Sequence, residues 1–312
     1  MTNIISFPGL GIGEFEIKEA AFPFLFGRDV MWYGIILTLG IIAGFSYALF
    51  RSKRENITSD DVLDYGIYCV ISAIIGARLY YVLTSLDRFI GETVGETLYN
   101  IVAIWDGGIA IYGAIIAGAI AIIIVSKVKK IKVTSALDMI SPGVMLGQII
   151  GRWGNFVNAE AFGEATTLPW RMGIRNEYYP ETIYVHPTFL YESLWNLIGF
   201  VIINAFYKKK RYNGQIFLMY ITWYGFGRML VEGLRTDSLM VGSFRISQVL
   251  GFACFIVGTA LLIYFGVKYR NNKSDVERNE KTEETAVATE SCTDNAAICE
   301  TNAENTDSSK GE

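Results

Sequence analysis

The stretch of the chain with the clearest chemical content is Gly151-Arg-Trp-Gly-Asn-Phe-Val-Asn-Ala-Glu160, which directly follows an apolar segment. It joins Arg152 to the amides of Asn155 and Asn158 and to a carboxylate. A charge at membrane depth is costly, and where it occurs it usually serves a substrate or an ion. The run therefore indicates a functional polar site at one end of a membrane span.

A second set of polar side chains follows a helical spacing. Tyr224, Arg228 and Glu232 are four residues apart, so they share one helical face, and Arg235 follows three residues later. Arg228 and Glu232 could equally form a structural ion pair along one helix. Further polar or aromatic residues occur near the ends of other apolar segments: Tyr33, Arg78, Tyr112, His186 and Glu192.

Simple structural roles also fit several of these residues. Tyr33 could be an ordinary interfacial aromatic, Arg78 a structural or headgroup-facing residue, and His186 a loop residue before Pro187. Arg152 is the hardest to explain in this way, because two amides and a carboxylate follow it within the same run.

Hydropathy predicts the elements that position these groups. Of the 312 residues, 52% are hydrophobic, and the mean hydropathy is +0.33, which is too apolar for an ordinary soluble domain. Crossing a membrane takes about 20 residues. Runs of suitable length lie at 31–50, 62–84, 106–126, 135–151, 189–207, 215–234 and 246–268. The prediction is an all-α polytopic membrane protein with seven transmembrane helices.

Loop charges predict the orientation of these helices. Segments 51–61, 127–134, 208–213 and 268–273 hold 14 Lys and Arg residues. The intervening segments 1–30, 85–104, 151–188 and 235–245 hold 8, although together they contain far more residues. The basic set is expected to be cytoplasmic, which places the N-terminus outside and the C-terminus in the cytoplasm. All the polar groups singled out above then fall in the outer half of the membrane. A water-accessible pocket that opens toward the outer leaflet is expected.

Composition divides the chain into three parts. Residues 1–30 form an outer-face N-terminal arm, and 31–269 form a seven-helix membrane domain with an outer-face cap around 151–188. Residues 270–312 carry five Lys or Arg against eleven Asp or Glu and no aromatic residue, so they are expected to be a disordered acidic cytoplasmic tail. The N-terminus has no basic region before its first apolar run, so no cleaved signal peptide is predicted.

Several functional classes receive no support from the sequence. The four cysteines have neither disulfide-framework nor metal-ligand spacing, so no metal site is predicted. No strongly basic patch suggests a nucleic acid partner. No internal repeat is apparent, which counts against transporters built from inverted repeats.

The run at 151–160, closed by Gly163, resembles the signature of the bacterial prolipoprotein diacylglyceryl transferases. The similarity extends over about residues 20–269, and the acidic tail lies outside it. The motifs that carry it are Trp32-Tyr33-Gly34, Gly76-Ala-Arg78 with Tyr81, Trp105-x-Gly-Gly, His186-Pro with Leu190-Tyr-Glu192, and Tyr224-Gly-x-x-Arg228 with Glu232 and Arg235.

The resemblance implies an enzyme that moves the diacylglyceryl group of phosphatidylglycerol onto the lipobox cysteine of a prolipoprotein. The product is a thioether, glycerol phosphate leaves, and no cofactor is needed. Membership also implies the plasma membrane of a bacterium, an active site facing the outer leaflet, and contact with membrane lipids and signal peptides.

The resemblance also implies roles for individual residues. Arg152 and Arg228 would hold the phosphate and act in catalysis, because arginine stabilises developing phosphate charge through paired hydrogen bonds. Tyr224 would support Arg228. The remaining residues implied to shape the substrate site are Tyr33, Asn155, Asn158, Glu160, Gly163 and His186.

One position departs from the family pattern. Many members carry histidine where this chain has Tyr112, and that histidine is the usual candidate for deprotonating the thiol. Tyrosine normally gives up its proton only near pH 10, so it is a poor base at neutral pH. Tyr112 is therefore expected to orient the substrate, with His186 as the fallback base.

Two functions compete with the transferase. A transporter or flippase for an anionic lipid or metabolite would explain intramembrane arginines, but it predicts charged groups through the full membrane depth. The inner halves of the spans hold few charged residues, and the exceptions are Asp64 and Asp138. A seven-helix receptor is supported by the helix count alone.

Overall fold

The computed structural model describes residues 1–25 and 28–274. Within that range the chain is mostly helical. The helices are α1 (Trp32–Ser52), α2 (Ser59–Thr84), α3 (Val94–Val102), α4 (Ile111–Val128), α5 (Val133–Val157), α6 (Thr188–Tyr207), α7 (Gln215–Glu232) and α8 (Ile246–Ser274). Residues Met1–Ala260 form one compact unit, and a second unit starts at Leu261, within α8. All the site residues considered below belong to the first unit.

Six of the described helices are long and apolar enough to cross a membrane, namely α1, α2, α4, α5, α6 and α8. A polytopic, mostly helical membrane protein was predicted, and the structure confirms it at that level. The helix that corresponds to the predicted span 215–234 is α7, with 18 residues. Its Gln215, Arg228 and Glu232 lower its hydropathy below that of the other six.

Two of the helix boundaries that differ from those expected affect the position of the polar residues. The helix α4 begins at Ile111 rather than near 106, because Gly107 and Gly108 adopt positive φ angles of 88° and 78° that no helix can continue. The helix α5 continues to Val157 rather than ending at 151. Arg152 and Asn155 therefore lie on the last two turns of a membrane helix, and the cap begins after them.

Glycine contacts explain how closely the membrane helices approach one another. On α1 and α5, Gly44 faces Gly143, and a Cβ on Gly44 would lie 2.6 Å from the Gly143 carbonyl oxygen. On α2 and α4, a Cβ on Gly76 would lie 2.6 Å from the carbonyl oxygen of Gly113. Small residues permit such backbone contacts between helices in lipid.

The cap and the N-terminal arm form a β-sheet that hydropathy did not predict. The strands are β1 (Thr2–Phe7), β2 (Ile12–Lys18), β3 (Ala20–Leu25), β4 (Arg28–Met31), β5 (Met172–Arg175), β6 (Ile183–Val185), β7 (Met240–Val241) and β8 (Phe244–Arg245). Four of them make an antiparallel sheet in the order β2-β1-β5-β6. The pairs β3-β4 and β7-β8 are separate hairpins.

The arm is thus a structural part of the cap. Strand β1 pairs with β5 so that Ile5 lies opposite Ile174, and both side chains are fully buried. They pack with Met172, Val185 and Phe189, the last of which belongs to the first turn of α6. The sheet is therefore anchored to the end of the membrane domain where α5 finishes and α6 starts. The predicted tail begins within α8, and from residue 275 onward it lies outside the described residues.

Candidate active site

Three helices, α5, α6 and α7, bring their charged residues together at Glu192. This glutamate lies in the second turn of α6 and is only 4% exposed. Its Oε2 forms an ion pair with Nη2 of Arg152, from α5. Its Oε1 accepts a hydrogen bond of 2.8 Å from Nη1 of Arg228, from α7. One carboxylate therefore holds two guanidinium groups from different helices beside each other.

A second carboxylate supports this arrangement from α7. Nη2 of Arg228 lies 2.6 Å from Oε2 of Glu232, which is 1% exposed. Arg235 follows with Nη1 3.8 Å from Oε1 of Glu192 and Nε 4.0 Å from Glu232. We call Arg152, Glu192, Arg228, Glu232 and Arg235 the arginine–glutamate cluster.

Arg235, just beyond the end of α7, is held on its other side by Asp237. Its Nε and Nη2 donate to the two carboxylate oxygens of Asp237 at 2.9 and 2.8 Å. Burial alone would lower the pKa of Arg235. The nearby carboxylates of Asp237, Glu192 and Glu232 raise it by more, so the pKa lies above its ordinary value. Arg235 therefore stays charged at any working pH.

The tryptophans of α6 and α7 fix the relative position of Glu192 and Arg228. The indoles of Trp195 and Trp223 stack with their centroids 4.4 Å apart and their planes at 15°. Each indole N–H donates to the other residue's backbone carbonyl, at 3.0 and 2.9 Å. A Cβ on Gly227 would lie 2.2 Å from Trp195 Nε1. This reciprocal contact keeps the register of α6 against α7.

Asn155 and Glu160 extend the polar site beyond Arg152. The Asn155 side chain accepts from Arg152 Nη1 at 3.3 Å and donates to Oε1 of Glu160 at 2.8 Å. Ala159 and Ala161 adopt positive φ angles of 48° and 56°, which turn the chain back after α5. The structure thus joins three of the predicted site residues in one chain of hydrogen bonds.

Three other predicted site residues have identifiable surroundings. A Cβ on Gly154 would lie 2.8 Å from the ring of Tyr33, so the absence of a side chain lets that ring pack against α5. Asn158 has a buried Oδ1 without a hydrogen-bond partner among the described residues. Gly163 bridges to Arg235 and donates its N–H to the carbonyl of His186 at 3.0 Å, so it joins the cap to the end of α7.

Tyr224 lies one turn before Arg228 on α7. Its ring stacks on that of Tyr220, with centroids 5.9 Å apart and planes at 24°. The Tyr220 hydroxyl accepts a hydrogen bond of 3.0 Å from Gln148 Nε2 on α5. Tyr224 therefore lies between Arg228 and the hydrogen-bonded pair of Tyr220 and Gln148.

His186 belongs to a separate hydrogen-bond chain at the base of the cap. The Tyr191 hydroxyl accepts from Trp170 Nε1 at 2.7 Å and lies 3.2 Å from Nδ1 of His186. The hydroxyl has one hydrogen to donate and a second lone pair, so the tautomer of His186 sets the direction of this contact. His186 is thus tied through Tyr191 to Trp170 of the cap.

Tyr112 and Arg78 form hydrogen bonds outside the arginine–glutamate cluster. The Tyr112 hydroxyl lies 2.8 Å from Ser247 Oγ on α8, and its ring is 6.5 Å from that of Tyr80 on α2. Arg78 donates from its three nitrogens to the carbonyls of Asn100, Ile101, Ala103, Gly107 and Gly108. Arg78 thus organises the loop before α4, in keeping with its structural interpretation.

A groove of about 460 Å³ opens beside the arginine–glutamate cluster. Its walls come mainly from α1, α2 and α5, and they are apolar over most of its length, with Leu37, Ile41, Val70 and Val144 among the lining residues. Tyr33, Gln148, Arg152 and Asn155 line its polar end. Such a site suits a molecule with an anionic group at one end and hydrocarbon beyond it.

The sequence motifs contain Glu192 and Glu232, but neither residue was predicted to belong to the site. The available signal was the occurrence of carboxylates within apolar segments, since such groups are expected to have a charged partner. Gln148 was missed altogether, because a single amide in a span gives no spacing pattern.

Comparison with known proteins supplies the family context. A family model described as prolipoprotein diacylglyceryl transferase matches residues 20–264. The chain is similar to the phosphatidylglycerol–prolipoprotein diacylglyceryl transferase of Finegoldia magna, with 45% identity over 77% of this chain and 93% of that protein. It is 41% identical to the proteins of the same name from Listeria innocua, over 77% of this chain and 87% of that protein, and from Clostridioides difficile, over 80% and 97%.

Proposed function

Because this chain belongs to the prolipoprotein diacylglyceryl transferase family, we propose that it transfers the diacylglyceryl group of phosphatidylglycerol to a prolipoprotein. The acceptor is the thiol of the lipobox cysteine in the precursor's signal peptide. The product is a thioether, and glycerol phosphate is released. The relatives' shared name supports this transferase activity and does not favour the transporter or flippase alternative.

The observation that carries the proposal is the meeting of Arg152 and Arg228 over Glu192 at the polar end of an apolar groove. Each terminal nitrogen of a guanidinium carries two hydrogens. The contacts with Glu192, Glu232 and Asn155 therefore leave further N–H groups on both arginines for an oxyanion. A lipid phosphate would bind there while an acyl chain follows the groove.

The reaction requires displacement at carbon. The thiolate sulfur attacks the glyceryl methylene carbon that carries the phosphate ester. A C–S bond forms as the C–O bond breaks, and that oxygen leaves with the phosphate. The phosphate charge rises from one to two during this step. Arg152 and Arg228 stabilise the added charge, because they are already oriented by carboxylates and need little reorganisation.

Glu192 acts as a positioning residue in this mechanism. It holds both guanidinium groups beside each other before the lipid binds, and it offsets the cost of two buried positive charges. Alignment of lipid and peptide then contributes the rest of the acceleration, since displacement depends on the approach of sulfur to the reacting carbon. Asn155 and Glu160 extend the polar wall on which the headgroup rests.

The thiol proton needs no dedicated base in this proposal. A free thiol, with an ordinary pKa of about 8.5, is already a few per cent thiolate at neutral pH. Arg152 and Arg228 favour the thiolate further once the peptide is bound. Tyr112 and His186 then orient the substrate, and the proton passes to water at the mouth of the site.

We further propose seven spans, with α7 as the seventh. At about 1.5 Å per residue its 18 residues extend about 27 Å, close to the thickness of a hydrocarbon core of about 30 Å. The side chains of its Arg228 and Glu232 are only 14% and 1% exposed, and Arg228 contacts Glu192 on α6. With the basic loops in the cytoplasm, the N-terminus and the cluster face the outer side of a bacterial plasma membrane. Neither a metal nor a nucleic acid takes part.

The direct test is a transfer reaction with purified full-length protein. The protein would be mixed with phosphatidylglycerol and a lipobox peptide, and the peptide would be analysed by mass spectrometry. We expect a mass increase equal to one diacylglyceryl group, and release of glycerol phosphate in equal amount. A peptide with serine in place of the cysteine should stay unmodified.

The result that would contradict the proposal is an unmodified cysteine peptide with protein that is folded and binds phosphatidylglycerol. Movement of the lipid between leaflets under the same conditions would favour the flippase instead. A product formed equally well by the Arg152→Ala and Arg228→Ala variants would leave the reaction in place but remove the arginines from it.

A further inference from the structure

A second polar cavity lies at the opposite end of the same helices. It measures about 450 Å³ and is formed by the α1–α2 connection, the first turn of α5 and the α6–α7 connection. Arg54, Lys208, Lys210 and Arg211 line it, together with Glu55 and Asn213. We call it the basic pocket. It shares no lining residue with the groove beside Arg152.

The carboxylates near the basic pocket are already engaged. Lys210 Nζ lies 2.5 Å from Oε2 of Glu55 and 2.9 Å from Oδ2 of Asp138. Glu55 also accepts from the Tyr207 hydroxyl at 2.9 Å. Asp138 accepts two backbone N–H groups at the start of α7, at 2.6 and 2.8 Å. Lys210 thus offsets one of the two negative charges, and the neutral donors stabilise the remaining carboxylate oxygens.

Three cationic side chains remain around the cavity. Arg54, Lys208 and Arg211 are exposed, and within residues 1–25 and 28–274 none of them forms an ion pair with a carboxylate. Like charges that face one cavity repel each other, and a bound anion with more than one negative charge would relieve this repulsion. Arginine in particular pairs with phosphate oxygens through two parallel hydrogen bonds.

The surroundings of the pocket indicate where such an anion comes from. The helices α1 and α6 both end at the pocket, and near those ends Phe50 and Phe206 are 67% and 51% exposed. Apolar rings exposed on membrane helices face hydrocarbon, so the pocket opens at the level where a leaflet's headgroups begin. Basic pockets of this kind between membrane helices bind anionic headgroups.

We propose that the basic pocket binds a phosphate-bearing anion with at least two negative charges, supplied as the headgroup of an anionic lipid. This site is separate from the phosphatidylglycerol site of the transfer reaction and does not depend on it. Arg54 and Arg211 hold the phosphate oxygens, with Lys208 as a third positive charge and Asn213 as an amide donor at the wall.

Native mass spectrometry of full-length protein from lipid nanodiscs tests the proposal. The nanodiscs would contain phosphatidylcholine with a minor fraction of cardiolipin, whose headgroup carries two phosphates. We expect one retained cardiolipin per wild-type protein. The variant Arg54→Gln/Arg211→Gln should raise the Kd for cardiolipin about thirtyfold, since each basic side chain near an anionic headgroup strengthens binding severalfold.

The chain offers a matched control. Lys53→Gln/Lys209→Gln removes the same charge from the same two connections, but neither lysine lines the pocket. This variant should retain cardiolipin as wild type does. An equal loss in both double variants would show unspecific attraction and overturn the proposal, as would full retention in Arg54→Gln/Arg211→Gln. Both variants should keep the diacylglyceryl transfer rate, which separates this site from the catalytic one.

Inorganic pyrophosphate distinguishes the source of the anion. If the source is a lipid headgroup, millimolar pyrophosphate in solution should leave the retained cardiolipin in place. Binding of pyrophosphate by wild type without any retention of cardiolipin would keep the phosphate chemistry but overturn the lipid assignment.

Discussion

The membrane domain has an ion-paired cluster at each end of its helices, and the two clusters use their carboxylates differently. In the arginine–glutamate cluster, Glu192 contacts guanidinium groups from two helices, and these groups retain N–H donors beside an apolar groove. At the other end, Asp138 is fully buried and accepts from the backbone of Gly214 and Phe217 as well as from Lys210.

In the proposed mechanism, this difference separates a structural ion pair from a functional one. Asp138 completes the start of α7 by accepting N–H groups that a helix leaves unpaired, so its charge is used within the fold. Glu192 instead orients cations that can still bind another anion. A buried ion pair alone is weak support for either role. The distinguishing feature is that Arg152 and Arg228 keep further N–H donors next to the apolar groove, which favours a functional role for Glu192.

The strongest test of this comparison removes the guanidinium groups. Arg152→Ala and Arg228→Ala should each lower kcat by about 10²–10³, the usual cost of losing a preorganised donor to developing charge. Lysine at either position should restore little, because it cannot form paired hydrogen bonds to phosphate. Turnover would be measured by mass spectrometry of the lipobox peptide. Near-normal rates in both alanine variants would exclude phosphate binding by this cluster.

Substitution of Glu192 should mainly lower turnover, whereas substitution of Asp138 should mainly lower stability. Glu192→Gln keeps the shape of the side chain but loses the charge that orients both arginines, so kcat should fall by up to about a hundredfold. Asp138→Asn should destabilise the fold by about 3–5 kcal/mol, as expected when a buried charge pair is broken, with kcat per folded protein unchanged. Thermal unfolding and turnover would be measured on both variants. An equal fall in turnover for the two would remove the distinction.

The sequence predicted the membrane helices because each is an apolar run of sufficient length. It also grouped Arg152, Asn155 and Glu160 in one short run, and the structure joins these three side chains by hydrogen bonds. The cap sheet was not predictable in this way. Strand β1 pairs with β5, and the register places Ile4 opposite Arg175, a long-range contact that no local pattern records.

The same limit applies to the site. Arg228 and Glu232 are one helical turn apart, so their ion pair was foreseeable as an alternative. The contacts of Glu192 with Arg152 and Arg228 join three helices, and helix packing rather than spacing determines them. The contact of Tyr112 with Ser247 likewise depends on where α8 lies against α4.

Tyr112→Phe tests whether the departure from the family pattern affects proton transfer. The substitution removes the hydroxyl that contacts Ser247 and keeps the ring near Tyr80. We expect turnover to fall by about tenfold at every pH, on the scale of one lost orienting contact, without a change in the shape of the pH–rate profile. Ser247→Ala is the matched control, since it removes the same hydrogen bond from α8. A profile altered only in Tyr112→Phe would instead make this hydroxyl part of the proton path.

His186→Gln should have the smallest effect. His186 contacts Tyr191 at the base of the cap, and glutamine keeps both a donor and an acceptor for that contact. We expect most of the activity to remain. The rate should rise with pH as the substrate thiol ionises toward its ordinary pKa of about 8.5, with the same profile in wild type and variant. Tyr191→Phe should also retain most of the activity, because it removes the hydroxyl that contacts His186 and Trp170 and leaves the imidazole in place. Loss of a titration step near neutral pH in His186→Gln, together with a large fall in rate, would identify His186 as the base and show that the chemistry extends from the arginine–glutamate cluster into the cap.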